Sequence, residues 1–520
     1  MRSTFMGLET AKRGMFTQQS ALYTTGHNIS NANTPGYSRQ RVNFQTTTPY
    51  PAVGLNRPNI PGQMGTGVEA GSVQRIRDAF VDVQYRNENN KLGYWSERAD
   101  ALTKVEDIIN EPSEQGLAKT FNELWDSLQT LGGSPTNDGA RSVVIERLQS
   151  VTETFNYMHD SLKAMKDDYG NQLDVTEKAV NSILSQINDV NQQIKETEPN
   201  GYLPNDLYDK RDALVDELSQ YVNISIERVP NGGNSLPIAE GTYKILLADA
   251  NGSATTNELV NGEGYTQLDI QTDGDKVTQI VFASYTKDGA AGGNAYSGTA
   301  AISGTKDAVT FSRGEIRALI EAYGYSDGTK TVGMYSNMLS DLNTLAEAFV
   351  SKFNEVNSAG KRTDGTAPGA ILEITDTANA AGSIQLVAGT TGKDIGASEN
   401  GEAGDGANAY NLANIFTDKS LIVTDNTTTP ETTTSINEFF EAVIGRLGVD
   451  SQQASRTATN VEVLRTSAET NRNSISAVSL DEEMTNLIQF QHAYNGAARM
   501  ITVVDEMLDK IINGMGTGGR

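Results

Sequence analysis

The stretch from Val144 to Ile194 constrains the fold more than any other part of the sequence. Apolar residues recur there every three or four positions, and no helix-stopping signal appears before Pro199-Asn200-Gly201. At a rise of 1.5 Å per residue, a helix of about 55 residues is roughly 80 Å long. Because such a helix needs antiparallel partners along its sides, the sequence predicts a rod rather than a compact globule.

Both ends of the chain carry apolar stripes at helical spacing. Neither terminal helix can bury its stripe alone, so we expect the two helices to pair and to contact neighbouring copies. Periodicity by itself equally allows an ordinary antiparallel pair within one subunit. The residues that we predict to form the assembly interface are Leu8, Met15, Leu22, Ile29, Leu487, Tyr494, Ile501 and Leu508.

A polar turn is expected to end the first helix. Asparagine and glycine accept turn dihedral angles, and proline fixes its own, so a cluster of these residues stops a helix. The cluster consists of Asn28, Asn31, Asn33, Thr34, Pro35 and Gly36. Residues 45–73, which are rich in proline and glycine, then predict an extended connector or short hairpins.

After Val222 the apolar period changes from helical to two, which is typical of strands. Glycine-rich turns separate the candidate strands, which are Tyr243–Leu247, Gln267–Ile270, Val277–Phe282 and Ala308–Phe311. Helical periodicity returns at Val332, and a second stretch rich in glycine, alanine and threonine follows it. The chain therefore passes from helices to strands twice before it ends in helices.

These patterns predict an α+β multidomain fold, in which both chain ends form a long α-helical coiled-coil or bundle shaft that carries inserted β-rich domains. The first three segments are an N-terminal coiled-coil helix that pairs with the C-terminus (1–45), the first part of a helical rod (46–222) and an inserted β domain (223–313). The others are returning helices (314–360), a second β-rich insertion (361–430), the second part of the rod (431–478) and the C-terminal coiled-coil helix (479–520).

Composition excludes several functional classes. The formal net charge is −25, from 41 basic and 66 acidic residues, which argues against nucleic-acid binding. The chain has no cysteine, so disulfides, thiolate metal sites and thiol nucleophiles are excluded. No apolar run is long enough to span a membrane, and the N-terminus lacks the apolar core of a signal peptide. Taken alone, these features suggest a cytoplasmic protein.

Candidate chemistry is sparse. The three histidines, His27, His159 and His492, do not stand at metal-ligand spacing, and no nucleophile or phosphate-loop pattern appears. We therefore predict no catalytic residue, no metal and no cofactor.

One acidic run carries more than one interpretation. Asp206, Asp209 and Asp212 share a helix face, which favours an acidic first turn with local ion pairs to Lys210 and Arg211 over a cation site. Asn205 is expected to cap that helix.

The two chain ends resemble those of bacterial flagellar axial proteins. The stretch from Asn28 to Gly36 resembles their N-terminal signature, and Tyr37-Ser38-Arg39-Gln40 resembles more narrowly the family of hook-associated protein 1, the FlgK family. The run Val478-Ser479-Leu480-Asp481-Glu482-Glu483-Met484 is similar to the same family at the other end. The chain departs from the family where Asn354 to Gly360 lacks its usual histidine.

The resemblance implies a structural subunit at the junction of hook and filament, which is needed for filament assembly. It implies self-association into a ring, with hook protein, hook-associated protein 3 and an export chaperone at the C-terminal region as partners. It also implies an extracellular place in the flagellum, reached through the flagellar secretion system without a cleaved signal peptide. That location overrides the cytoplasmic one suggested by composition.

Two alternatives remain open. A hook or distal-rod protein belongs to the same machine, but the long helix at 140–197 and the run from Asp206 to Asp212 argue against it. A secreted adhesin or enzyme on a coiled-coil stalk belongs to another class, and the absence of a signal peptide and of a catalytic cluster argues against that.

Overall fold

The computed structural model describes residues 5–51, 53–54, 62–109, 116–286, 300–301, 311–326, 330–402, 404–419, 421–423 and 432–514. Within these ranges the chain is mainly helical and has one large curled β-sheet, an α+β fold. The helices are α1 (Met6–Ser30), α2 (Ala79–Ile109), α3 (Leu117–Gly133), α4 (Asp138–Thr197), α5 (Asn205–Tyr221), α6 (Glu315–Tyr323), α7 (Met334–Ala359), α8 (Ala380–Ser383), α9 (Ala407–Asn414), α10 (Ile436–Ser476) and α11 (Leu480–Gly514).

Among the described residues, the strands form one large sheet and three two-stranded sheets. They are β1 (Gln40–Thr46), β2 (Val68–Arg75), β3 (Ile224–Val229), β4 (Thr242–Ala248), β5 (Ala254–Val260), β6 (Gly264–Thr272), β7 (Val277–Thr286), β8 (Ala300–Ala301), β9 (Tyr325–Ser326), β10 (Thr331–Val332), β11 (Leu372–Ile374), β12 (Ile384–Leu386), β13 (Leu421–Val423) and β14 (Thr432–Thr434). The large sheet has the order β10-β9-β7-β6-β5-β4-β3, with β8 paired to β7. Its strands pair antiparallel except β7 with β9.

Helix α4 is the long helix that the sequence predicts. It has 60 residues, which at 1.5 Å per residue gives a length of about 90 Å. The Asn137 side chain caps its start by accepting from the backbone N–H groups of Gly139 and Ala140. Helices α3, α5, α6 and α7 pack along it, and so do strands of the large sheet. The expected partners for its apolar face are therefore present.

Two asparagines on α4 bind the sheet as a neighbouring strand would. Asn181 donates to the carbonyl oxygen of Leu268 at 2.8 Å and accepts from its N–H at 2.8 Å. Asn191 does the same with Tyr243, at 2.9 and 3.2 Å. Both side chains are buried, so each amide satisfies backbone groups of Leu268 or Tyr243 that have no strand partner on that side.

Helices α2 and α10 form an antiparallel pair. Ser451 near the middle of α10 donates to Glu106 near the end of α2, at 2.8 Å. Arg472 near the end of α10 lies over the ring of Tyr85 near the start of α2, 3.9 Å from its centroid. This pair places the last turn of α10 beside the first turns of α2, close to both terminal helices.

The strands differ in part from the sequence expectation. The candidates at Tyr243–Leu247, Gln267–Ile270 and Val277–Phe282 are confirmed as β4, β6 and β7. The candidate at Ala308–Phe311 lies outside the described residues except for Phe311. The described part of 361–430 has less strand than expected, because its short apolar runs pack onto α4 and α7 as the three-residue strands β11 and β12.

Candidate assembly site at the chain ends

Helices α1 and α11 lie antiparallel along each other. A β-carbon placed on Gly14 would lie 3.9 Å from Cβ of Ala497, and one on Gly7 would lie 3.7 Å from a methyl group of Val504. Small residues at these crossings let the two helix axes approach closely. The pairing brings together residues that are nearly five hundred positions apart in the sequence.

The most buried face of α1 consists of small and polar side chains. Its members are Thr17, Ala21, Thr25 and Asn28. The eight residues that we predicted as the assembly interface are all half-buried. Periodicity located that stripe but not the face that packs deepest, because small polar residues contribute little to an apolar pattern. Their role in assembly stays a prediction.

Each terminal helix also exposes large apolar side chains. On α1, Phe16 is 51% and Tyr23 is 74% exposed. On α11, Met500 is 56% and Met507 is 51% exposed. In each helix the two residues stand seven positions apart, which places them on one face. These residues were not among those predicted from periodicity, although their seven-residue spacing is visible in the sequence.

The polar turn ends α1 as expected, with one correction. The helix stops at Ser30, Thr34 donates to the side chain of Asn31 at 3.2 Å, and Gly36 has a φ of +78°. Asn33, Thr34, Pro35 and Gly36 are exposed. Asn28 does not belong to the turn: it is a buried residue of the last turns of α1, so its role is to bind across the fold rather than to stop the helix.

Asn28 joins three parts of the chain. Its Nδ2 donates to the carbonyl oxygen of Gln40 at 2.8 Å and to Oε2 of Glu483 at 3.1 Å. Its Oδ1 accepts from the N–H of Gln40 and from the hydroxyl of Tyr37. Burial raises the pKa of Tyr37 well above its usual range, and the Asp206 carboxylate adds to this, so the hydroxyl stays protonated and donates.

Arg39 holds the junction between α10 and α11. Its guanidinium contacts Glu482 at 2.6 Å and Glu483 at 2.7 Å. Its backbone N–H donates to the carbonyl oxygen of Ser476, and its carbonyl oxygen accepts from Ile76. The start of β1, the first residue after β2 and the α10–α11 junction therefore meet at one residue. We call the set Asn28, Tyr37, Arg39, Gln40 and Glu483 the polar base.

Next to the polar base, α5 turns an acidic face toward buried arginines. Asp212 is 1% exposed and contacts three guanidiniums, which belong to Arg75, Arg77 and Arg86. Burial opposes ionisation of Asp212, but these cations outweigh it and hold its pKa well below the usual range. Asp216 extends the face by binding Arg472 of α10 at 2.5 Å.

This network corrects two expectations about α5. Asp209 and Asp212 do not pair locally with Lys210 and Arg211, because the partners come from β2, the β2–α2 connection and α2. Asn205 is the first residue of the helix rather than its cap. Its side chain donates to Gln40 Oε1 at 3.2 Å and to the carbonyl oxygen of Val73 at 2.9 Å, so it ties α5 to the hairpin.

The chain matches known flagellar proteins along its length. The model "Flagellar hook-associated protein FlgK helical domain" matches residues 102–372. Models of basal body rod proteins match the ends, "Flagella basal body rod protein" at 8–37 and "Flagellar basal body rod FlgEFG protein C-terminal" at 469–514. Flagellar hook-associated protein 1 of Bacillus subtilis is 43% identical over 530 residues, which cover 100% of both chains.

The chain belongs to the FlgK family. Flagellar hook-associated protein 1 of Salmonella typhimurium is 29% identical over 44% of this chain and 41% of its own. Flagellar hook-associated protein 1 of Escherichia coli is 29% identical over 46% of this chain and 42% of its own. The solved structure of the flagellar hook junction protein FlgK from Burkholderia pseudomallei covers 75% of this chain and 100% of its own, with a TM-score of 0.57 and 13% identity. That likeness supports the fold.

The described residues of this FlgK chain hold neither a grouped set of metal ligands nor a membrane-spanning helix. Among them, no three histidine, cysteine, aspartate or glutamate side chains are grouped so as to hold a metal ion. No helix in the same ranges is both long and apolar enough to cross a bilayer. Membership of the FlgK family places the chain in the bacterial flagellum, among structural proteins.

Proposed function

We propose that this chain is the structural subunit that joins hook and filament. The observation that carries the proposal is a full-length relative, 43% identical, named flagellar hook-associated protein 1. The geometry agrees with such a role, since α1 and α11 pair at the chain ends while apolar stripes on both stay exposed. The subunit works mechanically and not as an enzyme: it supplies rigid contacts on which a filament can start.

In the assembled state, the terminal helices form a coiled-coil shaft around the axis. The eight half-buried residues of the predicted interface seal that shaft within and between copies. Helices α2, α4 and α10 form the next layer, and the segments 223–313 and 361–430 lie outside it. Contacts of this heterologous kind place successive copies around an axis.

Hook protein on one side and hook-associated protein 3 on the other are the partners of the assembled ring. Before assembly, an export chaperone binds the C-terminal region, where α11 has an apolar stripe to cover. The chain reaches the flagellum through the flagellar secretion system without a cleaved signal peptide. A chain without cysteine forms no disulfide that would resist unfolding during such export.

A second candidate function is that of a hook or distal-rod protein. The matches to rod-protein models at residues 8–37 and 469–514 favour it, because they cover the two helices that carry the shaft. The match to the FlgK helical domain over residues 102–372 favours the junction instead, because it covers the middle of the chain.

The substitution Ile501→Asp tests the proposed function. It places a charge at a half-buried position of α11, where desolvating a carboxylate is costly. We expect the large sheet to stay folded, as judged by hydrogen exchange, while the variant fails to incorporate at hook tips and cells lack filaments. The matched control is Thr502→Asp, at an exposed position of the same helix. Normal filaments from the Ile501→Asp variant would refute the proposal.

A further inference from the structure

A cavity of about 310 Å³ lies between helices α2, α6, α7 and α10, beside strands β9 and β10. Because a water molecule takes up about 30 Å³ in the liquid, the cavity has room for a group of roughly ten non-hydrogen atoms. It is partly open to solvent. A small ligand, or one side chain of another molecule, can therefore enter it.

Much of the cavity wall is apolar. Four of the lining residues are aliphatic side chains of α2 and α10 that are each at most 6% exposed. They are Leu102, Val105, Val443 and Leu447. Met334 and Met338 of α7 add flexible, half-buried side chains. Such a wall holds water poorly and gains from contact with a hydrocarbon stem.

Five charged side chains also line the cavity, and four of them form ion pairs with each other. Arg98 of α2 contacts Glu321 of α6 at 3.0 Å, and Arg446 of α10 pairs with Asp341 of α7. The fifth, Asp450 of α10, is half-buried and has no hydrogen bond or ion pair within the part of the chain that the structure describes. The charge that stays unpaired at the cavity is therefore negative.

Arg98 lies near Asp450 but does not neutralise it. Its guanidinium is already bound to Oε2 of Glu321 at 3.0 Å and to the hydroxyl oxygen of Tyr94 at 3.1 Å. Burial lowers the pKa of Arg98, but Tyr94, Glu321 and Asp450 together outweigh burial and raise that pKa above its usual value. Asp450 thus contributes to the potential in the cavity while its carboxylate stays open to a second cation.

We propose that the cavity binds a primary ammonium group on a short aliphatic stem, with the charge at Asp450 and the stem against Leu102 and Leu447. An ammonium is a compact charge with three donors, and the side-chain oxygen of Asn337, which lines the same cavity, accepts a further hydrogen bond. An anion does not fit, because both lining arginines are already paired with carboxylates. This binding site does not depend on the proposed function.

Two sources carry this chemistry. One is a free aliphatic amine, and the other is a lysine side chain of a neighbouring flagellar protein. Both combine an ammonium with a stem of about four carbons, which lies along apolar surface while the charge stays at the partly open side. The chemistry of the occupant is tested first, and its source is tested separately.

Methyl NMR of the methionines in the full chain tests the chemistry. The chain has 12 methionines, and the variants Met334→Leu and Met338→Leu assign the two signals at the cavity. The probe is 1-butylamine, which matches a lysine side chain, and the uncharged 1-butanol and the anionic butyrate are the comparisons. We expect saturable shifts of the two cavity signals with 1-butylamine, at concentrations at least fivefold lower than with 1-butanol, and none with butyrate.

The variant Asp450→Asn should weaken the binding of 1-butylamine at least fivefold. The matched control is Glu441→Gln, at an exposed position of the same helix, which should leave the binding unchanged. The methyl spectrum of each variant without the amine shows whether its fold is intact. Equal binding of amine and alcohol by the unmodified chain, tighter binding of butyrate, or unchanged affinity in the folded Asp450→Asn variant would overturn the proposal.

A water-soluble carbodiimide, which joins a carboxylate to a nearby amine, distinguishes the two sources in the flagella of intact cells. A peptide that contains Asp450 joined to a lysine peptide of another chain identifies a protein side chain as the occupant. The same peptide with the added mass of a small amine identifies a free ligand. Either product supports the proposal, and Asp450 left unmodified in the flagella would contradict it.

Discussion

The guanidinium of Arg39 lies 2.7 Å from Oε1 of Glu483 and joins residues 444 positions apart in the chain. Glu483 is buried and stands in the first turn of α11, so its carboxylate also faces the positive end of that helix. Asn28 at the end of α1 occupies the other carboxylate oxygen. One glutamate of α11 thus binds both the end of α1 and the residue that precedes β1.

The variant Glu483→Ala is expected to free the terminal helices. Removing the carboxylate takes one hydrogen-bond partner from Asn28 and one from Arg39, which costs about 1.5–3 kcal/mol for a hydrogen bond to a charged group. Hydrogen exchange and limited proteolysis should show loss of protection in α1 and α11, with the large sheet unchanged. The neighbouring Glu482→Ala is the control, since Glu482 is largely exposed. Equal loss of protection in the two variants would contradict this role.

Asp212 is expected to dominate the stability of the region between α2 and α5. The variant Asp212→Ala leaves three arginines without their shared carboxylate, and breaking such a buried set costs about 3–5 kcal/mol in the free energy of unfolding. Asp206→Ala, at an exposed position of the same helix, should change it by less than about 1 kcal/mol. Urea denaturation measures both.

The pH dependence of the same site follows from the sign of its pKa shift. Because the arginines depress the pKa of Asp212 below the ordinary 3.8, its contribution is present above pH 3.8 and is lost as pH falls through the folded-state value. Acid unfolding of the intact chain should therefore begin below about pH 4 in this region. If the Asp212→Asn variant unfolded in acid with the same pH dependence as the intact chain, the assignment of this dependence to Asp212 would be wrong.

Glu97 on α2 is expected to make the stability depend on pH in the opposite direction. Burial, with the nearby carboxylates of Glu315 and Asp100, raises the pKa of Glu97 from 4.5 to about 7. Because its pKa is raised in the folded state, Glu97 contributes stability that is fully present below pH 4.5 and is lost as the pH rises toward 7. Because Glu97 is partly exposed, the loss is expected to be only about 1–2 kcal/mol. Glu97→Gln should flatten the stability profile between pH 5 and 7, and an unchanged slope would contradict the assignment.

Gly93 is expected to resist substitution although it lies in a helix. A β-carbon there would overlap the backbone oxygen of Gln220, so α2 and α5 could not keep their distance. Gly93→Ala should lower the free energy of unfolding by about 1–3 kcal/mol through overpacking. Gly445→Ala in α10, where nothing lies within 4 Å of the added carbon, should raise it by up to about 1 kcal/mol through helix propensity. Urea denaturation measures the difference in the free energy of unfolding between the two variants.

Sequence periodicity was sufficient for most helices of this chain. The ends of α1 and α4 follow from local signals, a polar turn and Pro199-Asn200-Gly201, because helix termination depends on dihedral preferences of adjacent residues. The change from a helical to a two-residue period of apolar residues also located the large sheet, because that period reflects the local geometry of strands. The second insertion was less predictable, since short apolar runs there find partners on helices.

The candidate site was predictable only in outline. The amino-acid sequence by itself determined that both chain ends are amphipathic helices and that a turn follows the first one. Only the tertiary structure decided which face of α1 is buried, that Asn28 reaches Glu483, and that Asp212 collects arginines from β2 and α2. The physical reason is that periodicity depends on neighbours a few residues apart, whereas burial and ion pairing depend on which distant segments the fold brings within a few ångströms.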